Sequence, residues 1–406
     1  MRRSAAATIA VGVLLLGLAA PSASAAPGDP APGWSAPEAE THRDVAVSGS
    51  GRVFSLSLPE TGTLDHSALE HGYQSDWSRI DIPPSSQGGV IAGPGDYAMA
   101  VTGNVSRVFN GTSWEDPVMI HPEVWKSKLV SNKDGDAALL WSGGSGLPFL
   151  SRLERGGSWV TGRVTGAPAD VPRDVAITNT GRVTVVWAAP TGAKTAEIRR
   201  TVLRPGGTNW FASRRIGTVN TARPPLTLVA EGEGRETVLA GNKLWWQETL
   251  TEKPTYQFRT SVRAKLATGD TATRLVWSEE ANTEHQFYTR AAGTSWGPGV
   301  LVWENPGSPD ECDLGNEFGV GMVPGGRTYI AAAIRSEVGE TTEVCGGPYS
   351  IFRVLDRWSN VLGSSRFFYS STGTPLQVEA GTAGPIVLEY EPGDWFVDWT
   401  MEFYSR

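Results

Sequence analysis

The sequence predicts an all-β propeller, a closed ring of four-stranded sheets. Three observations predict it. A glycine-closed turn leading into a short apolar run recurs eight times along the chain. A second turn, leading into Trp or a Trp-like aromatic, follows most of these runs. The 406 residues include 48 Gly, 27 Pro and 16 Trp, which suits many short strands joined by turns and not a helical bundle.

The first element is the hairpin. Its glycine turns and second strands begin at Gly51, Gly95, Gly135, Gly181, Gly234, Gly269, Gly326 and Gly384. Each follows another apolar run, such as Val45-Ala46-Val47 or Val175-Ala176-Ile177. An apolar run, a glycine turn and a second apolar run read as two buried strands. The second element is the aromatic turn. Trp114, Trp159, Trp210 and Trp296 each follow a glycine by three residues, Trp77 and Trp358 have weaker flanks, and Tyr256 stands in for Trp in the fifth unit. These residues are expected to head a fourth strand and to wedge between neighbouring sheets. Four strands in about 40–50 residues is the size of a propeller blade. Eight blades result, with seven as the alternative because the fifth and sixth units have poorly marked boundaries between Leu226 and Trp296. The last unit, from Leu376 to Arg406, supplies three strands. A strand near Trp34-Ser35-Ala36-Pro37 would complete it and close the ring, removing two sheet edges.

Residues 1–25 read as an export signal: Arg2-Arg3, an apolar run from Ala5 to Ala20, then Ala23-Ser24-Ala25 as a cleavage site. The propeller domain is then residues 26–406, secreted, with no membrane span after cleavage. Its 33 Lys and Arg face 43 Asp and Glu, a balance that argues against nucleic acid as a partner. The two cysteines, Cys312 and Cys345, are expected to form a disulfide outside the cell.

The Gly-x-x-Trp turns at Gly111, Gly156, Gly207 and Gly293 resemble the tail of the Asp-box repeat of sialidase-like propellers. The Asp of that box would stand five residues before Trp, where this chain has Phe109, Glu154, Pro205 and Ala291. The resemblance implies a propeller and, for an enzyme of that family, a clamp of three Arg with a Tyr–Glu nucleophile. Arg79-Ile80-Asp81-Ile82-Pro83 departs from the family's Arg-Ile-Pro motif, and Tyr390 between Glu389 and Glu391 imitates the nucleophile only superficially. No catalytic residue is carried over.

The longest connections, Glu304–Glu317 and Arg335–Pro348, are expected on one face of the ring with Cys312 and Cys345 in them. They carry Asp310, Glu311, Asp313, Glu337 and Glu340, and Glu279, Glu280, His285 and Trp303 are expected nearby. These residues are the binding-face candidates, because rigid scaffolds carry function on such loops. Calcium is the ion their hard oxygens would suit, although no metal-ligand spacing is present and no cofactor is firmly implied. The reading is an exported, non-catalytic protein that recognises a glycan or an extracellular protein. Two alternatives stand beside it: a sialidase-like glycoside hydrolase with a diverged site, since such an enzyme needs only two facing carboxylates, and a structural propeller. One fold hosts many functions, so architecture does not choose among them.

Overall fold

The structure is a computed structural model. It describes residues 42–57, 67–73, 76–83, 85, 87–232, 234–247, 254–258, 263–269, 272–281, 284–292, 300–303, 313–323, 325–335, 349–356, 366–369, 374–381, 384–392 and 397–403. Among them the chain is all β and forms eight antiparallel sheets, seven of four strands and a last one of three. In every sheet the strands follow one another in chain order. The first strands of sheets one to eight are His42–Val47, Gly88–Ala92, Trp125–Ser131, Arg173–Ile177, Leu226–Ala230, Arg263–Thr268, Asp313–Met322 and Thr374–Gly381. Each contacts the first strand of the next sheet, and that of sheet one also contacts sheet eight. The first strands are therefore the inner wall of a propeller. The outer strands of sheets two, three and four are Val118–Met119, Val160–Arg163 and Arg214–Val219. The segment expected to complete sheet eight lies outside the described residues.

All eight second strands occupy the glycine-led runs, from Val53–Ser57 to Gly384–Pro392. The turns ahead of five of them share one construction. In Thr178–Arg182 the N–H of Thr178 donates to the carbonyl of Arg182, and that of Gly181 donates to the carbonyl of Thr178. The same pair of bonds closes Ser48–Arg52, Asn132–Asp136, Glu231–Arg235 and Val323–Arg327. The fourth residue is Gly51, Gly135, Gly181, Gly234 or Gly326, with φ between 77 and 100°. This left-handed region is open to glycine and costly for residues with a Cβ.

The aromatic turns differ from expectation in one respect. Trp114, Trp159 and Trp210 precede the fourth strand and belong to the connection leading into it; Trp114 and Trp210 make isolated bridges back to Phe109 and Leu203. The turn chemistry explains this, because Asn110 Oδ1 accepts the N–H groups of Thr112 and Ser113 and holds the chain out of the ladder. The wedge role holds. Trp114 packs on a cluster shared by sheets one and two, and Trp159 on one shared by sheets two and three. The indole N–H of Trp159 donates across that boundary to Ser106 Oγ at 2.8 Å. Trp141 and Trp187 are fully buried in their second strands. Between sheets four and five the contact is closer still: a Cβ on Gly217 would lie 2.6 Å from the ring of Trp245.

The glycine turns all lie on one face of the ring, together with the turns from third to fourth strand. On that face buried ions join neighbouring sheets. Glu236, fully buried in sheet five, accepts from Thr184 Oγ1 at 2.6 Å and Arg182 at 3.0 Å, both of sheet four. It also accepts from Arg200 at 2.9 Å. Glu231 pairs with Arg235 at 2.8 Å and accepts from Thr273 of sheet six at 2.9 Å. Burial pushes the Glu231 carboxyl above its ordinary range, against the pull of Thr273 and Arg235. Burial likewise draws Arg274, which donates to the carbonyl of Asp356, down to about 10.

Candidate functional site

The opposite face gathers the connections between sheets and the turns from second to third strand. It is the loop face, and every inner strand starts there. A cavity of about 480 Å³ runs along the inner strands of sheets one to three. Its walls are Asp44–Val47, Gly88–Ala92 and residues 127–129 with Ser131. Glycine makes the room. A Cβ on Gly89 would stand 3.2 Å from the Asp44 carboxylate, and one on Gly88 would strike Leu56 at 2.5 Å.

Two acidic straps hold this wall. Asp44 Oδ1 accepts the N–H of Val45 at 3.0 Å, and its Oδ2 accepts that of Val90 in the next sheet at 2.8 Å. Asp174 repeats the arrangement three sheets on, with Val175 at 2.8 Å and Leu228 at 2.7 Å. Inner strands of neighbouring sheets do not pair by backbone, so the carboxylate takes the place of the missing ladder. Lys128 reaches from sheet three to Asp174 at 2.5 Å.

The loop-face end of the inner strand of sheet three, two residues ahead of the cavity lining at Ser127, forms the mouth and carries an exposed aromatic. Trp125 opens the inner strand of sheet three and is 57% exposed. The register slips by one residue between its pairing with Ser142 and that of Lys128 with Leu140. Lys126, in the slip, has φ 46°, and its N–H is accepted by Gln87 Oε1 of the preceding connection. A bulge of this kind re-aims the side chains beside it. Left-handed backbone at a non-glycine residue is strain that surrounding contacts must hold. Asp170, in the next connection on the same face, is the other such residue among those described. Arg173 opens the inner strand of sheet four on the same face, and its guanidinium donates to the Gly146 carbonyl and to Ser142 Oγ. Burial lowers its pKa, against the attraction of Asp170.

The candidate residues read from the sequence fall in sheets six and seven. Glu279 and Glu280 end the second strand of sheet six, Thr273–Ala281, and His285 begins the third, with Glu280 opposite His285. Trp303 ends the fourth strand, opposite Phe287. These residues are thus strand residues flanking the turn. Asp313 likewise starts the inner strand of sheet seven, paired with Arg335, and Glu317 lies within that strand. Asp310, Glu311, Glu337, Glu340, Cys312 and Cys345 lie outside the described residues. Tyr390 is a strand residue of sheet eight, opposite Thr374 and Trp399. Sequence reasoning missed the mouth at Trp125 and the straps. The near-repeat of Arg43-Asp44-Val45-Ala46 as Arg173-Asp174-Val175-Ala176 is the signal that could have found the straps.

No family profile and no curated protein matches the chain. Among solved structures it is similar to a fucose-specific lectin from Aleuria aurantia, at 12% identity and TM-score 0.42, over 80% of this chain and 97% of that one. It is also similar to the propeller domain of the Trilobed protease from Pyrococcus furiosus, at 8% identity and TM-score 0.46, over 91% and 94%. A puromycin-hydrolyzing peptidase from Mycobacterium tuberculosis matches at 10% identity and TM-score 0.48, over 91% and 61%. At such identities and scores these likenesses carry no argument about function. The protein's class, a β-propeller, rests on its own sheets.

Proposed function

We propose that this protein is an exported, non-catalytic recognition propeller that binds a glycan through its loop face. The observation that carries the reading is Trp125, an exposed indole held by a strained bulge at the edge of a polar-walled cavity. An aromatic face at a rigid position offers large contact area at little conformational cost. The C–H face of a pyranose suits it, while Lys126 beside it and the hydroxyl of Ser127 within the cavity could engage the sugar's oxygens. Recurring polar groups beside an apolar platform are what fix a small ligand's orientation.

The test is a glycan array probed with the purified protein, with calcium and with chelator, alongside Trp125→Ala. The expected result is selective binding that Trp125→Ala abolishes. Loss of binding on chelation would bring the acidic segments around Asp310 and Glu337 into the site with calcium. No selective binding in either condition, or binding indifferent to Trp125→Ala, overturns the reading.

A further inference from the structure

A second surface stands apart from the cavity mouth. Residues 148–223 carry twelve Lys and Arg against four Asp and Glu, a net +8, in a chain whose total is −8. Everything else therefore sums to −16. The segment spans the outer half of sheet three and all of sheet four. Eleven of its twelve cations are Arg.

Their placement is peripheral. Arg163 ends the outer strand of sheet three, and Arg214 and Arg215 begin that of sheet four. Arg155 and Arg204 sit in the turns leading into those two strands, and all five are exposed. Arg204 lies over the exposed ring of Phe211 at 4.6 Å. Arg152, in the third strand of sheet three, donates to the Arg204 carbonyl at 3.2 Å and so ties that sheet to the turn of sheet four. Across sheet four, Arg199 stands opposite Arg215 and Arg200 opposite Arg214. Directly opposed like charges are unfavourable in a sheet. Glu197 relieves the first pair, at 2.9 and 3.9 Å, and Glu236 relieves Arg200. Among the described residues the side chains of Arg163 and Arg214 have no ion-pair or hydrogen-bond partner. Among the described residues, unneutralised guanidinium groups thus stand on the rim of sheets three and four, in a chain whose remaining sequence is net acidic.

We infer that the rim of sheets three and four binds an acidic polysaccharide, a polymer repeating carboxylate or sulfate groups. The planar fork of Arg matches those groups in a bidentate way, which Lys does not. The exposed cations are spread over the outer strands and turns of two neighbouring sheets, an arrangement that suits an extended chain better than a small anion. A nucleic acid duplex fits less well. It carries a charge about every 1.7 Å along a long rigid rod, which would run off two sheets onto the acidic remainder. A polysaccharide carries its charges farther apart and bends away.

The experiment measures binding of the full protein to dextran sulfate across a salt series. Unsulfated dextran and a DNA duplex are the comparison ligands. The expected result is binding to dextran sulfate that weakens steeply with salt, and none to dextran. Arg163→Gln, Arg214→Gln and Arg215→Gln together should weaken it by about tenfold or more. The double replacement of two exposed cations elsewhere, Lys133→Gln with Arg327→Gln, should leave it unchanged, as should Trp125→Ala. Thermal melts of each variant check folding, and all the exchanged side chains are exposed. The inference is overturned if dextran sulfate does not bind at low salt, if the triple variant binds like the parent, or if the duplex binds equally well.

Discussion

Glu236→Ala tests whether charged keystones hold the sheets together. The carboxylate is fully buried and holds three donors: Thr184, Arg182 and Arg200. Their environments set the cost. Arg182 is 31% exposed and can turn to water, so it adds little. Arg200 is 13% exposed and would be left as an uncompensated charge. Breaking a buried pair, with a buried Thr184 hydroxyl losing its acceptor as well, gives an expected loss of about 4 kcal/mol. That is a large share of the roughly 5–15 kcal/mol that stabilises a typical protein. Urea unfolding, followed by tryptophan fluorescence, reads it as a fall in midpoint. A double replacement, Arg200→Met with Glu236→Leu, should cost less than Glu236→Ala alone, because neither charge then stays buried. A loss below about 1 kcal/mol for Glu236→Ala, the value of a surface pair, would refute the reasoning. So would a double replacement costing the sum of its single ones.

Other outcomes follow from geometry already described. Gly181→Ala should lose about 1–2 kcal/mol from its φ of 77° alone, since the nearest atom to a Cβ there is 3.7 Å away; urea midpoints check it. Gly217→Ala should lose stability through collision with Trp245, and shortening that partner by Trp245→Phe should recover part of it in the same assay. Burial raises the Glu70 carboxyl above 4.5, so the folded state holds that proton more tightly than the unfolded one. Ionising it is then a penalty absent below the unfolded value and complete above the folded one. Glu70→Gln should accordingly raise the melting temperature more at pH 8 than at pH 4, and an equal gain at both would contradict the assignment. Trp125→Ala should leave the melting temperature within error of the parent, because the side chain is mostly exposed.

The blades were legible because their turns depend on local chemistry. A left-handed residue before an apolar run demands glycine, and Gly51, Gly135, Gly181, Gly234 and Gly326 show that demand in the letters themselves. The aromatic turns were half legible. The glycine marks where the chain turns, but whether Trp114 joins the ladder depends on Asn110 capturing two N–H groups, which spacing does not reveal. The mouth at Trp125 was invisible for a different reason. Trp125 looks like any of the 16 tryptophans until pairing shows that a slipped register turns it outward. The basic rim lay in plain view, yet the net charge of the whole chain averages it away. Long acidic connections drew attention to Glu304–Glu317, whereas the inner strand of sheet seven already begins at Asp313.

The contact between the inner strand of sheet one and the strands of sheet eight has a kinetic consequence. Sheets two to seven each stack on a neighbour made immediately before them, so they can assemble as the chain is synthesised. The seam cannot. It joins the first described strand to sheet eight, and must wait for that sheet while bringing together the most distant parts of the described chain. Until then two sheets stand with an unstacked face, one at each side of an open ring. Proteases and unwanted partners would find the molecule most vulnerable in that interval.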